Sequence, residues 1–199
     1  MAAAERKFLF LLGSTRPDGN TEQLARRAAE ALPEGVRQEW LRLTDLPVPD
    51  FADLRHTGDG THPQPEGNLR HLLDATLDAT DIVIASPLYW YSLSTPAKHY
   101  LDHWVGWLRL PGLDFKARMA GKTLWGVTAL AERDQSVADP LIGSLRHSAS
   151  YMSMRFGGVL LGNGSAPGQV LADEVAMKEA KDFFSAVQEV SEGDSILAG

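Results

Sequence analysis

The sequence predicts an α/β fold, a doubly wound parallel sheet of five strands with helices on both faces. Strand-like and helix-like patterns alternate five times along 199 residues. Most of the strand-like runs are apolar throughout rather than alternating, which suits strands covered on both faces. Such alternation implies right-handed crossovers between parallel strands.

Residues 7–12, KFLFLL, form the first run. A polar loop follows, and then a helical pattern over 21–32, rich in alanine and leucine, that breaks at Pro33. Residues 36–43, VRQEWLRL, are more polar and read as a strand at the sheet edge. Residues 47–67 are rich in Pro, Gly, His and Asp and read as one long surface loop, a kind that is usually functional or mobile. Helical spacing returns at 68–79 with Leu69, Leu72, Leu73 and Leu77. The third run is 81–85. Thr95 reads as a cap with Pro96 at the first helical position, opening a helix through Trp104. Residues 123–129 form the next run. A helix follows from Asp139 or Pro140 to about Met154, then a run at 158–161. A last helix over 173–190 places Val175, Phe183, Phe184 and Val187 on its apolar side. Residues 191–199 read as a loose tail. One domain is expected over residues 1–199, its core at about 6–190.

Composition narrows the function. The formal net charge of −7 argues against a general nucleic-acid surface. With no cysteine, the chain has no disulfide, no thiolate nucleophile and no cysteine-bound zinc or iron–sulfur site. The N-terminal MAAAERK lacks the apolar core of a signal peptide, and no apolar run approaches bilayer length. A soluble cytoplasmic protein without membrane or nucleic-acid partners is expected.

Two loops carry the chemistry. The first, GSTRPDGNTEQLA (13–25), follows strand one at the carboxyl edge, where doubly wound sheets bind ligands. The following helix points its free N–H groups at it. Gly13 and Gly19 are expected to allow sharp turns. Ser14, Thr15, Asn20 and Thr21 can each donate to a phosphate oxygen. The Walker spacing and the Gly-x-Gly-x-x-Gly fingerprint are both absent. An ordinary strand–helix turn is the competing reading. The second loop, SPLYWYSLSTPAKHYLDH (86–103), carries Tyr89, Trp90 and Tyr91 in a row. Three exposed aromatics either bury into a partner subunit or wall a flat ring system.

Together the two loops resemble the NADPH-dependent FMN reductase family of flavodoxin-like proteins, over roughly residues 6–190. AGKTLWGVTAL (120–130) and GGVLLGNGSAPG (157–168) are similar more weakly. The resemblance implies a flavodoxin-like sheet of order 2-1-3-4-5, bound FMN and NADPH as hydride donor. It implies that Ser14, Arg16, Asn20 and Thr21 hold the FMN phosphate. Pro87, Leu88, Tyr89, Trp90 and Tyr91 would border the isoalloxazine, and the loop Ala129, Leu130, Ala131, Glu132 and Arg133 would meet its other edge. Backbone N–H groups near Trp90 would stabilise negative charge on the reduced ring. Many relatives carry cysteines after strand two, some binding an iron–sulfur cluster. This chain has none there, so that branch is excluded. Lys98 is displaced from the family's lysine, and no role transfers to it.

The flavin would carry the hydride chemistry, so no catalytic side chain and no metal is expected. The acceptor would be a quinone, an azo or nitro compound, or free flavin. A non-enzymatic flavodoxin-like electron carrier is the alternative, and the net negative charge is compatible with it. A flavin-free binding module is a third class, disfavoured by the intact loop. Tyr-x-x-x-Lys, Gly-x-Ser-x-Gly and His-Glu-x-x-His motifs are absent. His99 and His103 share a helix face, read as pocket or surface residues rather than metal ligands. His56 and His62 read as solvated. Trp104 and Trp107 fit either core packing or the seam of a homodimer, and the seam is the favoured reading.

Overall fold

The computed structural model describes residues 6–185. Its elements in chain order are β1 (Lys7–Leu12), α1 (Asn20–Ala29), β2 (Arg37–Arg42), α2 (Gly67–Asp78), β3 (Asp81–Ala85) and α3 (Thr95–Trp107). Then come α4 (Phe115–Met119), β4 (Thr123–Leu130), α5 (Asp139–Tyr151), β5 (Arg155–Asn163) and α6 (Glu174–Ala180). The five strands form one parallel sheet in the order β2-β1-β3-β4-β5. The chain reverses direction across the sheet after β2, so the β1/β3 boundary is the switch point where such folds open a crevice.

Side chains alternate across a strand, and here both faces are buried. Leu9, Leu11, Ile82, Ile84 and Leu124 pack under α2, α3, α4 and α5. Phe8, Phe10, Leu12, Val83, Trp125 and Val127 pack under α1 and α6. That double burial explains the unbroken apolar runs of β1 and β3. β2 lies at an edge and is only part-buried, as its polar sequence predicts.

Three elements depart from the sequence reading. β5 starts at Arg155, before the expected 158, and its register against β4 shifts between Leu124 and Trp125. The reason is Gly157, where a Cβ would fall 2.2 Å from the Trp125 ring. A bare backbone is needed there, and the bulge admits the indole. α4 was hidden because it has only five residues; its Phe115 and Met119 are both buried, one turn apart. α6 covers Glu174–Ala180, capped by the Asp173 carboxylate on the N–H groups of Val175 and Ala176. Phe184 is buried as expected, but Val175 is exposed. Val187 and the expected tail lie outside the described residues.

Trp104 and Trp107, for which the seam is the favoured expectation, pack inside one chain. They are 5% and 2% exposed within one chain, stacked edge-on against Tyr100 and Phe115. The core reading holds because α4 supplies the aromatic lid that the sequence reading lacked. The 47–67 segment has no helix or strand before α2, but it is strapped down. His99 Nε2 and His103 Nε2 each lie 3.1 Å from Pro49 O, and His62 N donates to Arg109 O at 3.3 Å. His62 is therefore packed rather than solvated, stacked on Phe51 and set against Gly106.

Candidate flavin site

Three loops meet the carboxyl edge of the sheet near the switch point. They follow β1, β3 and β4. Gly13 joins the first two. Its N–H donates to Ala85 O at 2.8 Å and its carbonyl accepts from Ser94 Oγ at 2.7 Å. A Cβ on Gly13 would sit 2.7 Å from Ser94 Oγ and 3.0 Å from Ala97 Cβ. Close approach, not an unusual φ, is what requires glycine here. Ser94 is thus the helix-flanking residue of α3, with its hydroxyl on Gly13 instead of on its own helix.

The loop before α1 is shaped for an acceptor from outside. Gly19 is the N-cap, with φ −69°, and brings no side chain to the helix amides. The turn expected at Gly19 is made by Asp18, with φ +52°. Among the described residues, the amides of Ser14, Thr15, Gly19, Asn20 and Thr21 donate to no protein group. A capping Ser or Asp would occupy such amides; a glycine leaves them open. The Arg16 guanidinium is exposed and has no ion-pair partner there.

The side-chain donors divide. Ser14 Oγ closes the loop itself, donating to Arg16 O at 3.2 Å and accepting from Arg16 N at 3.1 Å. Asn20 Nδ2 donates to Gly164 O and Ala166 O, both at 2.9 Å, tying α1 to the segment after β5. Thr21 Oγ1 is buried and accepts from Ala129 N at 3.3 Å, so its own proton is still available. Thr15 is exposed. A donor set of backbone amides, Arg16 and two threonine hydroxyls, with no lysine, fits a phosphate monoester on a helix N-terminus.

Sequence reading missed Glu22 and Arg42. Glu22 is 2% exposed and pairs with Arg42 at 2.6 Å and Arg26 at 2.7 Å. Burial pushes its carboxyl up, but the Arg42 and Arg26 hydrogen bonds outweigh that and hold it below its ordinary value. An acid in a helix's first turn looks like routine dipole matching. Only the long-range position of Arg42 reveals the cluster.

The loop after β3 is a two-residue hairpin. Tyr89 and Ser92 exchange both backbone hydrogen bonds at 3.1 Å. Trp90 and Tyr91 occupy the tip with φ +50° and +63°. Glycine or asparagine is the ordinary choice at such positions, and a bulky residue there costs about 1–3 kcal/mol. Trp90 is 92% exposed, and Tyr89 and Tyr91 are exposed beside it. Pro87 and Leu88 are part-buried beneath. Strain and exposed aromatic surface together make it a candidate binding loop.

Of the loop expected at 129–133, Ala129 and Leu130 are still the last residues of β4, part-buried and buried and paired with Gly162 and Asn163, while Ala131, Glu132 and Arg133 follow the strand and are exposed. Asn163, at the end of β5, donates to the carbonyls of Leu130, Ala131 and Glu132 at 3.3, 3.1 and 2.6 Å. It fixes the loop's carbonyls toward β5, a role its sequence position did not announce. Among the described residues, no group of three or more His, Asp or Glu is placed to hold a metal ion, and no helix is long and apolar enough to cross a membrane.

Sheet order and an amide-lined loop at the switch point define a flavodoxin-like mononucleotide-binding fold. Residues 6–159 match the model of the NADPH-dependent FMN reductase family. YwqN of Bacillus subtilis, named as an NAD(P)H-dependent FMN-containing oxidoreductase, is 31% identical over 87% of this chain and 94% of its own. The chain therefore belongs to the NADPH-dependent FMN reductase family. An iron–sulfur flavoprotein of Methanocaldococcus jannaschii is 26% identical over 92% of this chain and 96% of its own. This chain has no cysteine to ligate such a cluster. The solved structure of the Trp repressor binding protein from Bacillus subtilis has a TM-score of 0.70 and 26% identity, covering 93% of this chain and 99% of that one.

Proposed function

We propose that the chain holds FMN with its phosphate on the β1–α1 loop and passes hydride from NADPH to a small-molecule acceptor such as a quinone, an azo or nitro compound, or free flavin. The observation that carries this is the set of amides on Ser14, Thr15, Gly19, Asn20 and Thr21 that, among the described residues, donate to no protein group, with the exposed Arg16 guanidinium beside them. Bound there, FMN supplies the two-electron chemistry. The protein's part is positioning. The amides and Arg16 neutralise the phosphate, and Thr21 adds a hydroxyl from a buried site. Pro87 to Tyr91 would border the ring, where the amides at the strained tip could stabilise negative charge. Ala129 to Glu132 border its other edge, braced by Asn163. The open aromatic tip would offer the seat that the nicotinamide and the acceptor take in turn.

The reading extends to a cytoplasmic homodimer, with Tyr89, Trp90 and Tyr91 rather than the buried tryptophans offering aromatic surface to the second copy. Cofactor identity is the first test. Heat release and chromatography of the purified, cofactor-loaded protein should yield FMN, because the loop offers donors for one phosphate and lacks the pyrophosphate fingerprint. FAD in the supernatant would remove the assignment.

A further inference from the structure

Buried Glu22, part-buried Arg42 and half-exposed Arg26 form a cluster directly behind the phosphate loop. Its hydrogen bonding is saturated. Arg42 Nη2 donates to Glu22 Oε2 at 2.6 Å, and Asp18 N donates to the same oxygen at 3.1 Å. Arg26 Nε and Nη2 donate to Oε1 at 3.1 and 2.7 Å. Arg42 Nη1 then reaches two loop carbonyls, Ser14 O at 3.4 Å and Arg16 O at 3.5 Å. One residue from β2 thereby holds the loop at two points, and one residue from α1 holds it at a third, Asp18 N.

This arrangement answers an electrostatic problem. A carboxylate in the first turn of α1 would repel a dianion bound at that same helix end. Arg42 and Arg26 neutralise the Glu22 carboxylate, with the exposed Asp45 carboxylate 3.9 Å from Arg42 Nε on the far side, so Glu22 does not oppose the ligand. It also answers a geometric one. A helix start is ordinarily fixed by an N-cap side chain on the first-turn amides. Here Gly19 has none, and Glu22 reaches back to Asp18 N instead. The loop is held from behind by groups that compete for none of the amides an anion needs. With Ser14 and Arg16 carbonyls turned toward Arg42, the intervening peptide groups are fixed rather than free to rotate.

We propose that Glu22 and Arg42 are positioning residues for the phosphate: together they hold the β1–α1 loop in the form that selects a flavin monophosphate over an unphosphorylated flavin. The inference rests on the FMN reading above and deepens it. Neither side chain needs to touch the ligand. A guanidinium is required at position 42, because only its planar fork serves the carboxylate and the two carbonyls at once.

The test measures dissociation constants of FMN and of riboflavin for the apoprotein, by quenching of flavin fluorescence. Riboflavin carries the ring and ribityl chain without the phosphate. Arg42→Gln is expected to weaken FMN by about tenfold or more, while riboflavin stays within about twofold, so the selectivity ratio collapses. Arg42→Lys keeps the charge but loses the fork, and is expected to lose most of the ratio as well. It also serves should Arg42→Gln not fold, as judged by circular dichroism. A purely structural role would weaken both flavins together. Equal losses for the two, or an unchanged ratio in both variants, would overturn the positioning role while leaving FMN binding intact. A parent protein that binds neither flavin would overturn the FMN reading and this inference with it.

Discussion

Asn20 and Thr21 are neighbours in sequence with different neighbours in space. Thr21→Val removes a buried hydroxyl that accepts from Ala129 N and keeps its own proton to donate. The expected result is about a tenfold or greater loss of FMN affinity, the worth of one hydrogen bond to a charged acceptor. Asn20→Ala removes the bonds to Gly164 O and Ala166 O and the one that Val170 N donates to Oδ1. It is expected to lower thermal stability by about 1–3 kcal/mol, with affinity falling only through its effect on the loop. Parallel melts and FMN titrations separate the two. The residue types that bind anions were readable as a list; which of them point outward was not. Asn20 finds its partners 144 and 146 residues away, and no local pattern encodes that. Trp90 gives the sharpest contrast at this scale. Trp90→Gly removes a side chain held at φ +50° and should leave the melting temperature equal or higher. Turnover of quinone-like acceptors should change by about tenfold or more. A lower melting temperature with unchanged rates would make the tip a structural feature.

Elements meet at close approaches that composition does not display. Gly13→Ala presses a methyl group between the β1 loop and the start of α3, and is expected to destabilise by about 1–3 kcal/mol. Adding Ser94→Ala removes the nearer obstacle and should recover part of that loss; a double variant no better than the single would refute the contact. The strap over α3 responds to acid. Burial, with the neighbouring His99, pushes the His103 imidazole below its ordinary value of 6.5, against smaller opposing effects of Pro49 O and Asp102; His62 faces it as well. His103 is therefore neutral in the fold at pH values where the unfolded chain takes up the proton. Its contribution is complete above about pH 6.5 and is lost as pH falls below it. Melting temperatures from pH 7.5 to 5.0 should fall less steeply for His103→Gln than for the parent, and equal slopes would refute the assignment. The paired burial of β1 and β3 was legible from their unbroken apolar runs. α4 and the bulge in β5 were not, because one is a single turn and the other depends on where the Trp125 ring lies.

At the scale of the molecule, the sheet order, the switch point and the family were all foreshadowed by two loops and an alternation. The tryptophan pair was not legible in the same way: that Trp104 and Trp107 pack against α4 is a property of the folded chain. With those side chains buried, the dimer expectation passes to the aromatic tip. Sedimentation of the parent and of Trp90→Gly at micromolar concentration should show a dimer that weakens in the variant. The central claim is that this fold carries FMN and draws hydride from a reduced nicotinamide. Its direct test is the visible spectrum of the purified, FMN-loaded protein under anaerobic conditions, recorded before and after adding NADPH or NADH. The account predicts that stoichiometric nucleotide bleaches the flavin bands and that adding a quinone restores them. Flavin bands that persist with either nucleotide, yet bleach with dithionite, would contradict it and leave an electron carrier in its place.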